Sequence, residues 1–145
     1  MGIEVIGQLI LATILGSILG IEREVKRKEA GLQTYSLVSL GTCLFTILSF
    51  YLFDLFENKT GLRFDPTGLI QAVAIGIGFI GAGVIFRQPS GIIGLTTAAG
   101  LWVAAGIGVA VGIKNYFLAI FATLLALLVF SGFGFLEKRY LEKVK

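Results

Sequence analysis

The sequence predicts an all-α membrane protein, a compact bundle of about five transmembrane helices. Three observations carry that prediction. The chain is 56% hydrophobic and only 14% charged, too little polar surface for a 145-residue globule in water. Its apolar residues fall into runs of roughly 18 to 20, the length that crosses about 30 Å of hydrocarbon at 1.5 Å per residue. Short charged segments separate those runs, as the connections of a helical bundle do.

Taken in order, the predicted spans are 3–21, 34–53, 68–86, 93–112 and 116–135. Residues 1–135 form the membrane domain and 136–145 a charged cytoplasmic tail. The first run lacks the basic leader and small-residue cleavage site of a secretory signal, so it is read as a retained span. The connections are 22–33, 54–67, 87–92 and 113–115.

Orientation follows from where Lys and Arg sit, because basic short loops stay in the cytoplasm. Arg23, Lys26, Arg27, Lys28, Arg87, Lys138, Arg139, Lys143 and Lys145 fall on one side, against Lys59, Arg63 and Lys114 on the other. The N-terminus is therefore expected outside and the C-terminus inside. Tyr35, Tyr51, Tyr116 and Tyr140 fall near span ends, as an aromatic belt would. A weak internal echo at an offset of 63 residues aligns Gly20, Gly31, Leu32 and Thr34 with Gly83, Gly94, Leu95 and Thr97, the pattern of a parallel repeat.

Several function classes are excluded. Histidine is absent and Cys43 is the single cysteine, which removes most zinc sites, the usual hydrolytic triads and any disulfide within the chain. The net charge of +3 sits in loops and tail and forms no stripe for nucleic acid. No nucleophile and base pair stands out, so no enzyme is expected. No cofactor is expected either; Mg²⁺ is the one ion considered, with Glu22, Glu24 and Glu29 on one side and Asp54, Glu57 and Asp65 on the other.

Gly76-Ile77-Gly78-Phe79-Ile80-Gly81 matches a dinucleotide fingerprint in letters, but it lies inside an apolar span, where no strand-turn-helix can form. Gly76, Gly78, Gly81, Gly83 and, on other spans, Gly16, Gly20 and Gly108 are read instead as places where another helix comes close. Glu22, Arg23 and Glu24 open the most charged loop. Glu22 sits about a turn beyond the glycine face and needs a cationic partner, either Arg23 or Arg87. Lys26, Arg27 and Lys28 read as solvated anchors to anionic lipid. Asp65 precedes Pro66 as a helix cap would. Thr96 and Thr97 open the fourth span, and Trp102 sits near its middle, where its indole N–H needs a partner such as Gln71 or a ligand cavity. Gln8, Thr13 and Gln71 are expected to bond between helices.

Gly16-x3-Gly20-x-Glu22-Arg23-Glu24, Lys28-x-Ala30-Gly31-Leu32-x-Thr34, Asp65-Pro66, the glycine run 76–83 and Gly94-Leu95-Thr96-Thr97-Ala98-Ala99-x-Leu101-Trp102 together resemble the MgtC/SapB membrane family over most of the chain. The family more often has Arg at the position of Gln33. The resemblance implies a multi-pass protein of the bacterial inner membrane, tied to growth in low magnesium and, in some pathogens, to survival inside host cells. It implies a regulator that restrains the F-type ATP synthase; a magnesium or other small-cation transporter is the alternative. Relatives often carry a soluble C-terminal domain, which makes this the short form. The partners expected are the lipid bilayer, a membrane protein and a second copy of the chain.

Overall fold

A computed structural model describes residues 2–60, 65–89 and 91–133, except for the side chains of 57–60 and 66. The tail at 136–145 and Arg63, with the side chain of Lys59, lie outside the described residues, so part of the charge asymmetry does too. The elements are α1 (Gly2–Val25), α2 (Leu32–Thr60), α3 (Pro66–Gly83), β1 (Phe86–Gln88), β2 (Gly91–Ile93), α4 (Leu95–Gly112) and α5 (Tyr116–Leu127), with a π-helical turn at Leu128–Phe133. All five expected helices are present. Four of them are long and apolar enough to cross a membrane, and α3 is a shorter apolar helix.

Two boundaries differ for physical reasons. Helix α2 runs on past the expected end at 53, because hydropathy marks the lipid boundary while the backbone stays helical through the polar residues beyond it. The link 87–92 is not a plain loop: Phe86 pairs with Ile93, Arg87 with Ile92 and Gln88 with Gly91 in an antiparallel hairpin. Gly91 opens the second strand at φ 132°, and Gly94, at φ 85°, turns the chain from the hairpin into α4. At Gly94 a Cβ would fall on the carbonyl of Val84, so glycine is required there on two counts.

Helix α4 is the hub of the bundle. Its Thr97, Leu101, Ala104, Ala105, Ile107 and Val111 are all buried. Around it the core is built from small residues such as Ala12, Ala110 and Ala119, while Ile3, Ile10, Phe45, Phe79 and Phe117 point outward. Large apolar groups outside and small ones inside suit a lipid solvent, since burial against another helix gains packing but no hydrophobic drive.

Glycine lets the inner helices approach. A Cβ on Gly16 would come within 2.6 Å of the Tyr35 carbonyl, and one on Gly20 within 2.6 Å of Leu32 Cα. A Cβ on Gly108 would fall on Thr42 Oγ1 and the Ser39 carbonyl. Two of the hydroxyls in this seam are satisfied by backbone carbonyls, Thr46 donating to Thr42 at 2.7 Å and Thr42 to Ala105 at 2.9 Å, while Ser39 Oγ is buried without a partner among the described residues. Gln8 bonds between helices as expected, donating to the carbonyls of Val111 and Gly112 at 2.9 and 3.0 Å. Thr13 does not; its hydroxyl returns to Leu9 in its own helix.

Candidate functional site

The ends of α1, α4 and α5 and the connection 26–31 meet at one face of the bundle, and the charged residues of α1 gather there. Arg23, in the last turn of α1, is 3% exposed. Its guanidinium lies 4.4 Å from the centre of the Phe130 ring, a cation–π stack that lets a planar charge sit against an apolar surface. Nη1 is 3.4 Å from Glu22 Oε2 and Nη2 is 3.5 Å from Thr97 Oγ1, while Nε is buried without a partner.

Glu22 is held from two sides. Lys26, one turn on, brings Nζ to 2.5 Å from Glu22 Oε1 and also donates to the Phe130 carbonyl at 3.1 Å. Ser131 donates to the same carboxylate oxygen at 3.4 Å. The sequence allows Arg23 or Arg87 as the partner of Glu22. The structure selects Arg23 together with Lys26, and Arg87 sits exposed on β1. Lys26, read as a solvated anchor, is solvated with its side chain 41% exposed, but it also belongs to this cluster. Its i,i+4 spacing from Glu22 on one helix face was the available signal.

Thr97 is the junction between chain segments far apart in sequence. Its hydroxyl donates to Glu29 Oε2 at 2.6 Å, and its carbonyl accepts from Tyr35 Oη at 3.1 Å. The Thr97 bond, more than any other influence, holds the Glu29 carboxyl below the usual carboxylate range. Tyr35 is fully buried with its ring at right angles to Phe130, and is no member of an interfacial belt. Glu24 serves the next helix instead, since its Oε2 accepts the Leu32 N–H at 3.0 Å and so caps the start of α2.

The other expected site residues stand apart from this cluster. Asp65 is the cap of α3, accepting from Thr67 N at 2.9 Å and from Thr67 Oγ1, which holds its carboxyl below the usual range. It lies at the far end of α3, about 27 Å away along that helix. Thr96 is exposed. Trp102 is 58% exposed on the outer face of α4, so it neither lines a cavity nor meets Gln71, because the turn of α4 that buries Leu101 points Trp102 away from the bundle.

The glycines divide. Gly16, Gly20 and Gly108 are in the inner seam, joined by Gly100 and Gly112. Gly81 rests on Ala98 at an ordinary 3.6 Å. Around Gly76, Gly78 and Gly83 a Cβ would meet nothing within 4 Å, so among the described residues they serve no packing role, contrary to a uniform packing reading. Helix α3 itself is continuous through them.

Successive residues turn 100° on a helix, and α3 accordingly has three faces. Ile77 and Gly81 turn toward α4 and are buried. Ala72, Gly76 and Ile80 line a groove shared with α2. Gln71, Ile75, Gly78 and Ala82 form an outward stripe; all four are exposed, Ile75 to 74%. The Gln71 side chain forms no hydrogen bond among the described residues, so the expected bond to another described helix is not made. Among the described residues no group of three His, Cys, Asp or Glu side chains is arranged to hold a metal ion.

Comparison with known proteins places these features. A family model described as the MgtC family matches residues 9–139. The "Putative magnesium transporter YhiD" of Escherichia coli (strain K12) is 41% identical over 140 residues, which is 97% of this chain and 65% of that protein. Protein SapB of Bacillus subtilis (strain 168) is 39% identical over 100 residues, covering 68% of this chain and 43% of its own. Protein MgtC of Brucella abortus (strain 2308) is 36% identical over 91 residues, 63% of this chain and 35% of its own. The chain thus spans less than two thirds of the length of these relatives. No solved structure matches.

Proposed function

The chain belongs to the MgtC family and is a multi-pass protein of the bacterial inner membrane, and from that premise we propose that it is a non-enzymatic regulator tied to magnesium homeostasis and growth in low magnesium. It acts by docking a helix against another membrane protein, of which the F-type ATP synthase is the candidate that the family resemblance supplies. One observation carries the reading: the outward stripe of α3. Gly78 and Ala82 leave room for a foreign backbone, and the Gln71 amide faces outward with no bond to another described residue. An amide at membrane depth finds no water to bond, and a polar group on another helix offers about 0.6 to 2 kcal/mol.

Orientation belongs to the same proposal. Among described side chains, the face bearing the Arg23 cluster carries Arg23, Lys26, Arg27, Lys28 and Arg87, and the opposite face carries Lys114, paired with Glu4 at 2.7 Å. That asymmetry supports a cytoplasmic location for the cluster.

The test is affinity capture of tagged protein from magnesium-limited cells, followed by immunodetection of the ATP synthase. Wild type brings it down and Gly78→Leu does not, at equal protein level and equal melting temperature. Capture undiminished in Gly78→Leu contradicts the docking face.

The name of the Escherichia coli relative favours a second reading, a cation transporter. Its path would have to join Glu22 to Asp65, which lie at opposite ends of the bundle. Between α1, α2 and α4 such a path would meet tight packing, since Gly16 and Gly108 lie against the backbone of α2. Mg²⁺ flux into liposomes that exceeds empty vesicles and is lost in Glu22→Gln would establish the transporter; its absence leaves the regulator.

A further inference from the structure

Helices α2 and α3 do not close on each other. A groove of about 970 Å³ separates them, walled by Leu37, Gly41 and Phe45 on one side and Ala72, Gly76 and Ile80 on the other. It runs from Gln33 and Thr34 at the charged face to Leu52 near the opposite one. The stretch 33–52 of α2 amounts to about 30 Å, the thickness of the hydrocarbon layer. Both wall glycines are open, with nothing within 4 Å of a Cβ on either.

The charged-face mouth of this groove has an excess of positive charge. The connection 26–31 leads into α2 and the hairpin leads out of α3, so both bear on the helices that form the walls. Arg27 and Lys28 on the first and Arg87 on the second are exposed, and none lies in a close ion pair among the described residues, although Lys28 acts on Glu29 through space. Among the described residues three acids lie on the same face, Glu22 paired with Lys26 and Arg23, Glu24 bonded to the Leu32 N–H and Glu29 to the Thr97 hydroxyl with Lys28 near it, so the five cations Arg23, Lys26, Arg27, Lys28 and Arg87 outnumber them. Gln33 and Thr34 add an amide and a hydroxyl at the mouth that bond to no other described side chain.

An apolar slot in the bilayer that opens among exposed cations and neutral polar groups suits one class of ligand. We propose that the charged-face half of the α2–α3 groove is a binding site for an anionic phospholipid. An acyl chain lies between Gly41 and Gly76, and the phosphate sits at the mouth, opposed by Arg27, Lys28 and Arg87. Basic recesses between transmembrane helices hold anionic headgroups in this way, and the lipid's length confines it to one leaflet, hence to this half of the groove. The site is independent of the docking stripe, because Gly76 and Gly78 lie on different faces of α3.

Native mass spectrometry of the detergent-purified protein, titrated with phosphatidylglycerol or with phosphatidylcholine of identical chains, tests this. Phosphatidylglycerol is expected to give a saturable adduct at least tenfold tighter than phosphatidylcholine. Replacing Arg27, Lys28 and Arg87 by Gln weakens it roughly fivefold per cation. Gly76→Phe or Gly41→Phe, each filling open space, removes the adduct without lowering the melting temperature, and Gly78→Phe leaves it in place. Equal affinity for the two lipids overturns the proposal, and so does an adduct that survives both groove-filling variants. A second protein chain bound in the groove, displaced by the same two variants, assigns the slot to a helix and equally overturns it.

Discussion

Two regions of this bundle are equally rich in glycine and use it in opposite ways. Between α1, α2 and α4, Gly16, Gly20, Gly108 and Gly112 each face a neighbour that a Cβ would strike. On α3, Gly76, Gly78 and Gly83 face open space. A glycine inside a helix costs about 1 kcal/mol relative to alanine. In the seam that cost is offset within the fold by backbone contact and by bonds such as Thr42 to the Ala105 carbonyl. On α3 nothing among the described residues offsets it, and the docking proposed above would. Spacing alone cannot separate the two cases, since both regions show small residues three to four apart.

The largest effect that would break the comparison is in the seam. Gly108→Leu would drive a side chain into Thr42 and Ser39, and even Gly108→Ala is expected to lose about 1 to 3 kcal/mol in equilibrium unfolding. A tolerated leucine there would mean the seam is looser than described. Next comes the cluster that locks one end of the seam. Arg23→Met removes the stack on Phe130 and the contacts with Glu22 and Thr97, for an expected loss of about 2 kcal/mol. Arg23→Lys does not restore the stack, because an ammonium lacks the flat face of a guanidinium.

A smaller effect is set by pH. The Thr97 bond lowers the folded-state pKa of Glu29, so the unfolded chain binds the proton more readily. The stabilisation is complete above the ordinary carboxylate pKa and fades as pH falls through the lowered folded-state value. Thr97→Val should therefore lower the melting temperature at neutral pH, with the gap to wild type narrowing in acid. A gap independent of pH would place the contribution of Thr97 in its other contacts. The smallest effect is on α3: Gly78→Ala should leave stability unchanged or raise it by up to about 1 kcal/mol, from helix propensity alone.

The helices are legible in the sequence because lipid imposes a length and a polarity that few other solvents do. The seam glycines are legible as a class, and Glu22 and Arg23 are legible because charge follows a small-residue face at a helix end. What lies beyond reach depends on long-range placement. Glu29 and Thr97 are 68 residues apart, and Phe130 reaches Arg23 only once α5 has folded back beside α1. Tyr35 and Trp102 depart from expectation because position along a span fixes depth, whereas burial depends on which side of the helix faces α4. The hairpin is hidden because its strands are three residues each, too short for a periodic pattern.

Gly76 and Gly78 of α3 face open space while Gly108 and Gly112 of α4 face the seam, and both proposed roles of α3 rest on that contrast. The most direct measurement is a paired one on Gly78→Leu and Gly108→Leu: melting temperature in detergent, and capture of membrane partners from cells. Gly78→Leu is expected to melt like wild type and lose its partner, while Gly108→Leu melts far lower. Equal destabilisation by the two, or a Gly78→Leu protein that keeps both its stability and its partner, would contradict this division of the glycines.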